Sequence, residues 1–431
     1  MDDSLALEPD GSSASRCVIA HAREALDGRR RGWRTFTPFV GPAVVVSVAY
    51  IDPGNIATGI EAGVRYGYQL LWVVLASSLV AMLFQMLSAR VGIVTGRNLA
   101  QLCRTHLPAP AGLGMWFISE LAAMATDLAE FVGAAVGIAL LTGIPLLYAM
   151  VLAGVLTYLL LMLQVRGFRS VELMIGALVA VIGISYIIQV WILPVSWAAA
   201  LRQTFVPTAL PPDAFMLAAG IVGATVMPHA LFLHSGLVNT RVRPRSASET
   251  SQLLRYSNRE VVAALAAAGC INLAMVVVSA GAFHGAHAEV AGIEDAYITL
   301  APLFGASAGL LFLVGLIASG LSSSVVGTMA GQMVLQGFLR VRLPVGMRRL
   351  ITMVPAFIVI GAGMDVTQAL VLSQVVLSMV VPFPMAALIW LARRPDLMGQ
   401  HAAGRGLVLV ATVGAVLVAG LNGALLVHLI A

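Results

Sequence analysis

The sequence carries little charge for its length. Only 10% of the 431 residues are charged, 59% are hydrophobic, and the mean hydropathy is +0.94. A water-soluble domain carries about 25% charged residues, so this chain lacks the polar groups that would cover a surface facing water. The shortage argues against a soluble enzyme, a nucleic-acid-binding protein and a secreted disulfide scaffold. The shortage points to a protein embedded in a lipid bilayer. The sequence gives no indication of an obligate protein partner.

Lysine is absent and cysteine is scarce. The basic side chains other than histidine are 25 arginines. The three cysteines, at positions 17, 103 and 270, lack the CxxC or CxxH spacing of a zinc or redox site. The first residues are polar and acidic, without the apolar stretch of a cleavable signal peptide. We therefore expect a mobile cytoplasmic tail over 1–35 and a transmembrane domain over 36–431.

Apolar runs long enough to cross a bilayer recur along the chain. A helix needs about 20 such residues to span the hydrocarbon layer. Eleven segments meet this requirement, which predicts an all-α polytopic membrane protein. Their approximate limits are 38–63, 69–94, 112–141, 144–164, 171–193, 214–238, 258–283, 301–335, 346–363, 366–391 and 406–430.

The positions of the arginines support this count. If the amino terminus is cytoplasmic, every arginine except Arg65 and Arg202 falls on the cytoplasmic side. The positive-inside rule predicts this asymmetry, and one segment more or fewer would scramble it. The carboxyl terminus, after an odd number of spans, is then expected to be external.

The first and sixth segments are irregular, and they lie five spans apart. Segment one contains DPGN at 52–55 and segment six contains GATVMPH at 223–229, both near mid-span. Proline removes a backbone donor and glycine lets the chain unwind, so both helices should break there. Paired interrupted segments indicate an inverted-repeat transporter. The repeats would cover about 38–193 and 214–391, with an extra helix at about 406–430.

The two breaks contain groups that bind cations. A carboxylate at mid-membrane, as in Asp52, is costly unless it faces water, an ion or a partner. Unwinding exposes backbone carbonyls such as that of Ala224, while Asn55 and Met227 offer an amide oxygen and a thioether. Oxygen ligands alone suit Mg²⁺ or Ca²⁺, whereas a thioether favours Mn²⁺, Fe²⁺, Co²⁺ or Cd²⁺. The residues therefore favour a site for a transition metal.

The chain resembles the Nramp family of proton-coupled divalent metal transporters, which have the LeuT-type 5+5 inverted-repeat fold. The resemblance rests on DPGN at 52–55, GATVMPH at 223–229 and SGLSSSVVGTMAGQMVLQGF at 319–338, and it extends over about 36–430. It implies metal binding by Asp52, Asn55, Ala224 and Met227, with Gln374 joining when the site closes.

The same resemblance implies a function. The protein would import Mn²⁺ or Fe²⁺, and also Cd²⁺ and Co²⁺, together with protons. It would do so by alternating access across a bacterial inner membrane. The expected substrates are thus divalent metal ions and protons, with no enzymatic activity and no bound cofactor.

A second set of polar residues suggests a proton path. Glu120, Asp127 and Glu130 lie on or near one stripe of segment three. Three acids in a membrane helix should face the protein interior or water. The functional interpretation is proton transfer, and structural ion pairing is the alternative.

His229 and Arg241 complete this set. Histidine titrates near neutral pH, and His229 lies two residues after Met227, close to the expected break. A role in holding the broken helix is the alternative. Arg241, at the inner end of segment six, is expected to pair with Asp127 or another acid. The family resemblance supports proton movement through Asp52, His229, Asp127, Glu130 and Arg241.

Further polar residues are given structural interpretations. Asn272 and Asn422 are mid-membrane amides, expected to form interhelical hydrogen bonds worth about 1–2 kcal/mol or less. Arg348 and Arg349 flank segment nine and are expected to make interfacial or gate contacts.

Other functions stay open at this point. A sodium-coupled amino-acid carrier on the same fold would hold a substrate carboxylate at helix amino termini and would not need Met227. A carrier of Mg²⁺ would use hydrated, all-oxygen ligation. An intramembrane metalloenzyme would need two or three His or carboxylate ligands on facing helices, and a channel is compatible with the composition alone.

Asp52 is the residue on which the metal and the proton hypotheses both depend. A bound divalent ion favours the ionised carboxylate, so metal binding should release a proton from Asp52 toward the acids of segment three. Asp52→Asn should therefore abolish metal uptake together with metal-linked proton movement. Proteoliposomes that contain a pH dye measure both quantities, and retained uptake with normal affinity would contradict the hypothesis.

Overall fold

The computed structural model describes residues 13–30, 32–162, 168–240, 242–285, 292–341 and 343–430, and none of these residues lies in a β-strand. The α-helices are α1 Ser13–Leu26, α2 Pro42–Ser47, α3 Pro53–Tyr66, α4 Leu71–Thr95, α5 Leu99–His106, α6 Ala109–Thr142, α7 Leu146–Leu161, α8 Phe168–Ile192, α9 Trp197–Phe205, α10 Phe215–Thr225, α11 Pro228–Leu237, α12 Ala247–Phe283, α13 Ile293–Phe304, α14 Ala306–Leu339, α15 Val345–Gly361, α16 Val366–Val380, α17 Pro382–Ala392, α18 Pro395–Met398 and α19 Arg405–Ile430.

The helices account for all eleven predicted segments, in order. Within the described residues, eight spans are long and apolar enough to cross a membrane, and the bent pair α2 and α3 makes a ninth. The other two predicted segments correspond to α7 and α15, which have only 16 and 17 residues. The prediction of an all-α polytopic membrane protein is therefore confirmed.

Both predicted helix breaks are present. The first span bends by 44° between Ile51 and Pro53, where Asp52 has an extended backbone and caps α3. The sixth span is interrupted between α10 and α11, where Met227 is extended and Pro228 begins the second half. In each case proline stands at the first position of the new helix, where its missing N–H costs nothing.

The helices around these breaks form the core of the molecule. α6 and α14 pack along each other, α3 packs against α12 and α16, and α10 packs against α16. Glycine permits the closest of these contacts: a Cβ atom at Gly320 would lie 2.7 Å from the Glu130 carbonyl oxygen of α6. The two broken spans are thus enclosed by long, unbroken helices.

The amino-terminal segment contains a docked helix. Residues 1–12 and 31 of the predicted mobile tail lie outside the described residues, and the mobility of the segment stays a prediction. From Ser13 the structure has α1, with Ala22, Ala25 and Leu26 buried in an apolar cluster that includes Leu253 and Leu254 of α12. Arg23 donates a 3.1 Å hydrogen bond to Glu249 of α12. The apolar residues recur at one helical face, so α1 can bury them although the segment is polar overall.

The docking of α1 is testable through the Arg23–Glu249 ion pair. Arg23→Glu replaces attraction by repulsion, and an ion pair near the protein surface is worth about 0.2–1 kcal/mol. Amide hydrogen exchange over residues 17–26 should become about two- to fivefold faster, because each 1.4 kcal/mol is a factor of ten. Arg29→Glu, on the exposed turn after α1, is the matched control. Unchanged exchange in Arg23→Glu would show that the ion pair does not hold the helix.

Candidate metal site

The first break is organised around the Asp52 carboxylate. Its Oδ1 atom accepts hydrogen bonds from the Asn55 backbone N–H at 3.0 Å and from Asn55 Nδ2 at 2.7 Å. This is the usual geometry of an aspartate at a helix N-cap. Both side chains are buried, with Asp52 inaccessible to solvent. The local sequence DPGN therefore fixes the carboxylate at the start of α3.

The second break contributes the backbone carbonyl of Ala224. In an unbroken helix its hydrogen-bond donor would be the N–H of residue 228, and Pro228 has none. Asn55 Nδ2 supplies the replacement, at 2.9 Å from the Ala224 oxygen. The same amide thus bridges Asp52 on the first span and Ala224 on the sixth.

Gln374 lies beside Asp52, and Met227 lies at the second break. Gln374 Nε2 is 3.5 Å from Asp52 Oδ2, and its Oε1 atom has no hydrogen-bond partner among the described residues. Glycine at position 54 leaves room for this side chain, since a Cβ atom there would lie 1.9 Å from Gln374 Nε2. Met227 is fully buried at the N-cap of α11.

These groups form a mixed set of donors that is closed to solvent. The side chains of Asp52, Met227 and Gln374 are inaccessible, and Asn55 is 5% exposed. Within the described ranges, no group of three or more His, Cys, Asp or Glu side chains could hold a metal ion. The ligand set expected from the sequence, one carboxylate with several neutral groups, stays a prediction.

The acids of α6 pair with arginines of α15. Arg349 Nη1 lies 3.2 Å from Asp127 Oδ1, and its Nη2 donates to Ser324 of α14 at 2.7 Å. About two turns away along α6, Glu120 Oε2 lies 2.6 Å from Arg348 Nη2. Both arginines are almost completely buried, so they are not the interfacial contacts that their position in the sequence suggested.

The predicted partner of Asp127, Arg241, lies outside the described residues, and the structure places Arg349 beside that acid. The sequence contained a signal for this pair: two adjacent arginines in a predicted span are costly unless they face acids. What the sequence lacked was the packing of α15 against α6.

Glu130 and His229 lie near these ion pairs. Glu130 is fully buried, and a Cβ atom at Gly327 of α14 would lie 2.5 Å from Glu130 Oε2 and 3.2 Å from Asp127 Oδ1. His229 Nδ1 is 3.1 Å from Thr126 Oγ1 of α6, while its Nε2 atom has no partner among the described residues. The structure therefore places Glu120, Asp127 and Glu130 along α6 and His229 of α11 beside Thr126 of the same helix, and their role in proton movement stays a prediction.

The fold and the polar groups at two opposed helix breaks define a secondary transporter built from inverted repeats. The particular family is shown by comparison: the family model described as Nramp, natural resistance-associated macrophage protein-like, matches residues 43–428. The chain belongs to the Nramp family, as its motifs predict. It is 54% identical over 428 residues to the divalent metal cation transporter MntH of Verminephrobacter eiseniae, covering 99% of this chain and 98% of that protein.

Solved structures agree with this assignment. A crystal structure of the Eremococcus coleocola manganese transporter matches with a TM-score of 0.82 at 31% identity, covering 91% of this chain and 87% of that one. The nucleobase-cation-symport-1 family transporter Mhp1 matches with a TM-score of 0.61 at 16% identity, covering 90% and 91%. The second likeness shows the shared fold alone, and together they confirm the predicted LeuT-type architecture.

The contact between α6 and the first break yields a prediction. A Cβ atom at Gly133 would lie 2.1 Å from Cβ of Pro53, whose ring is rigid, so Gly133→Ala must push α3 away from α6. Overpacking of this kind costs about 1–3 kcal/mol. The thermal unfolding temperature of the purified protein should fall by several degrees. Gly114→Ala, on the same helix with no atom within 4 Å of the new Cβ, should leave it unchanged, and equal effects would contradict the proposed contact.

Proposed function

We propose that this protein imports divalent transition-metal ions, Mn²⁺ and Fe²⁺ first and also Cd²⁺ and Co²⁺, together with protons. The observation that carries the proposal is the Asn55 amide, which joins the Asp52 carboxylate to the Ala224 carbonyl across two helix breaks. The names of the relatives support it, because one is a divalent metal cation transporter and another a manganese transporter. A transporter of this family is not an enzyme.

The arrangement of Asn55 explains how an ion would be held. In this structure Asn55 Nδ2 donates to two oxygen atoms, and half a turn of the amide presents Oδ1 in the same direction. The oxygen atoms of Asp52, Asn55 and Ala224 then face one another, with no N–H group between them. A divalent cation satisfies all three at once, in place of the N–H groups.

Met227 and Gln374 complete the proposed ligand set. The Met227 thioether is a soft ligand, which tolerates Mn²⁺, Fe²⁺ or Cd²⁺ better than Ca²⁺ or Mg²⁺. Gln374 Oε1, without a hydrogen-bond partner in the described part of the chain, is free to add an oxygen from α16. Its position beside Asp52 agrees with a closed state of the transporter.

Proton coupling follows from the same carboxylate. A cation favours ionised Asp52, so the ion and the proton compete for one group. The released proton would move by way of His229 and Glu130 to the Asp127–Arg349 and Glu120–Arg348 pairs. From residue 130 to residue 120 the path covers about 15 Å along α6, toward the end that the arginine distribution predicts to be cytoplasmic.

Alternating access would move the broken spans. α2 and α11 seal one side of the site and α3 and α10 seal the other, so opening either side requires only one half of each broken span to move. The first and sixth spans, with the fifth and tenth, would move against the third, fourth, eighth and ninth. The sodium-coupled amino-acid carrier loses support as an alternative, because the chain belongs to the Nramp family.

Met227 provides the sharpest test of the proposed selectivity. Wild-type protein in proteoliposomes with an internal pH dye should take up Mn²⁺ with protons and take up little Ca²⁺. Met227→Ala should admit Ca²⁺, because the soft ligand that disfavours it is gone.

Met227→Leu is the matched control for volume, since leucine fills nearly the same space without sulfur. If both variants admit Ca²⁺, the thioether sets the selectivity. If only Met227→Ala does, the size of the site sets it and the assigned role of sulfur is wrong. If the wild type moves neither metal, the proposed function is wrong, and an amino-acid carrier becomes the leading alternative.

A further inference from the structure

The last helix, α19, has one buried polar side chain. α19 lies outside the two predicted repeats and packs against α10, α16 and α17. Its buried residues are Ala411, Gly414, Val418, Asn422 and Leu425, and the remaining described surface is largely exposed. Asn422 is therefore a buried amide between two helices that are long enough to span a bilayer. A polar group in such a place is costly unless it is hydrogen-bonded.

Asn422 bonds to Ser378 of α16 in both directions. Asn422 Nδ2 donates to the Ser378 carbonyl oxygen at 2.6 Å, and Ser378 Oγ donates to Asn422 Oδ1 at 2.7 Å. All four atoms belong to residues that are 5% exposed or less. A reciprocal pair of this kind fixes both the distance and the rotation of one helix relative to the other.

The Ser378 carbonyl needs this outside donor because of Pro382. In an α-helix the carbonyl of residue 378 accepts from the N–H of residue 382, and proline has no N–H. The tenth span passes from α16 into α17 at this proline. In a membrane interior, a carbonyl freed in this way must be satisfied by a neighbouring helix, and Asn422 is the group that does so.

The turn held by Asn422 is the turn that carries Gln374. Gln374 lies four residues before Ser378, directly above it on the same helical face. From the other side α10 presses on this turn: a Cβ atom at Gly223 would lie 1.9 Å from the Gln374 carbonyl oxygen and 2.6 Å from the Ser378 nitrogen. The backbone between Gln374 and Ser378 is thus clamped between Gly223 and Asn422.

We propose that Asn422 is a positioning residue for Gln374, acting through the Ser378 carbonyl rather than by touching the transported ion. This inference rests on the proposed function, in which Gln374 adds a ligand when the site closes. Without the Asn422 amide, α16 must bend or rotate to satisfy the carbonyl, and Gln374 moves away from Asp52. A helix outside the inverted repeat thereby sets the geometry of the closed site.

A double-mutant cycle tests this role. Asn422→Ala should raise the KM for Mn²⁺ uptake into proteoliposomes by about three- to tenfold, the range expected for one lost hydrogen bond. Gln374→Ala should raise it similarly, and the double variant should equal Gln374→Ala alone, because the two residues act on one interaction. If the double variant instead raises KM by the product of the two single effects, Asn422 acts elsewhere and the proposal fails.

Restoring the missing N–H provides a rescue that a general loss of packing would not show. In Asn422→Ala combined with Pro382→Ala, residue 382 can donate to the Ser378 carbonyl, and KM should return to that of Pro382→Ala alone. Pro384→Ala is the matched control, since its new N–H would point to the carbonyl of residue 380. Rescue by Pro384→Ala, or no rescue by Pro382→Ala, would overturn the proposed action through Ser378.

The same vesicles separate this inference from the function on which it rests. Wild type and Asp52→Asn establish whether Mn²⁺ is carried through the site. If the wild type takes up Mn²⁺ and Asp52→Asn does not, the site carries the ion. Independent effects of the Asn422 and Gln374 substitutions on KM then refute the role of Asn422 and leave the proposed function intact. If the wild type takes up no Mn²⁺, both proposals are wrong.

Discussion

A backbone carbonyl that loses its helical donor inside a bilayer must find another donor, and this constraint shapes the centre of the molecule. Pro228 deprives the Ala224 carbonyl of its partner, and Asn55 of the first span replaces it. Pro382 deprives the Ser378 carbonyl in the same way, and Asn422 of α19 replaces it. In both places the replacement donor comes from another span. The first span is thereby bonded to the sixth, and the tenth to the eleventh.

The two replacements differ in a way that suits different tasks. Asn55 is a neutral amide that shares its protons with a carboxylate and a carbonyl, so an incoming cation can take over all of its contacts. Asn422 is bonded in both directions to a single residue, so its contacts stay closed. One amide therefore lies in the proposed metal site, and the other lies at a contact that joins two helices.

Buried charge obeys a similar rule. An acid or an arginine in the membrane interior is stable only with a partner, and α6 and α15 supply each other with partners at two levels, Glu120 with Arg348 and Asp127 with Arg349. These pairs tie α6 and α15 together beside the broken spans. The same residues belong to the proposed proton path, so these contacts would serve both stability and proton transfer.

The sequence by itself determined the spans and the breaks, because apolar length, proline and glycine act over a few residues. It also determined the donor types in the site, since DPGN and MPH lie directly at those breaks. The tertiary structure decided the partners: Arg349 meets Asp127 across 222 residues, Asn422 meets Ser378, and α1 docks on α12. No local pattern contains such pairings, because they depend on which helices pack together and at which rotation.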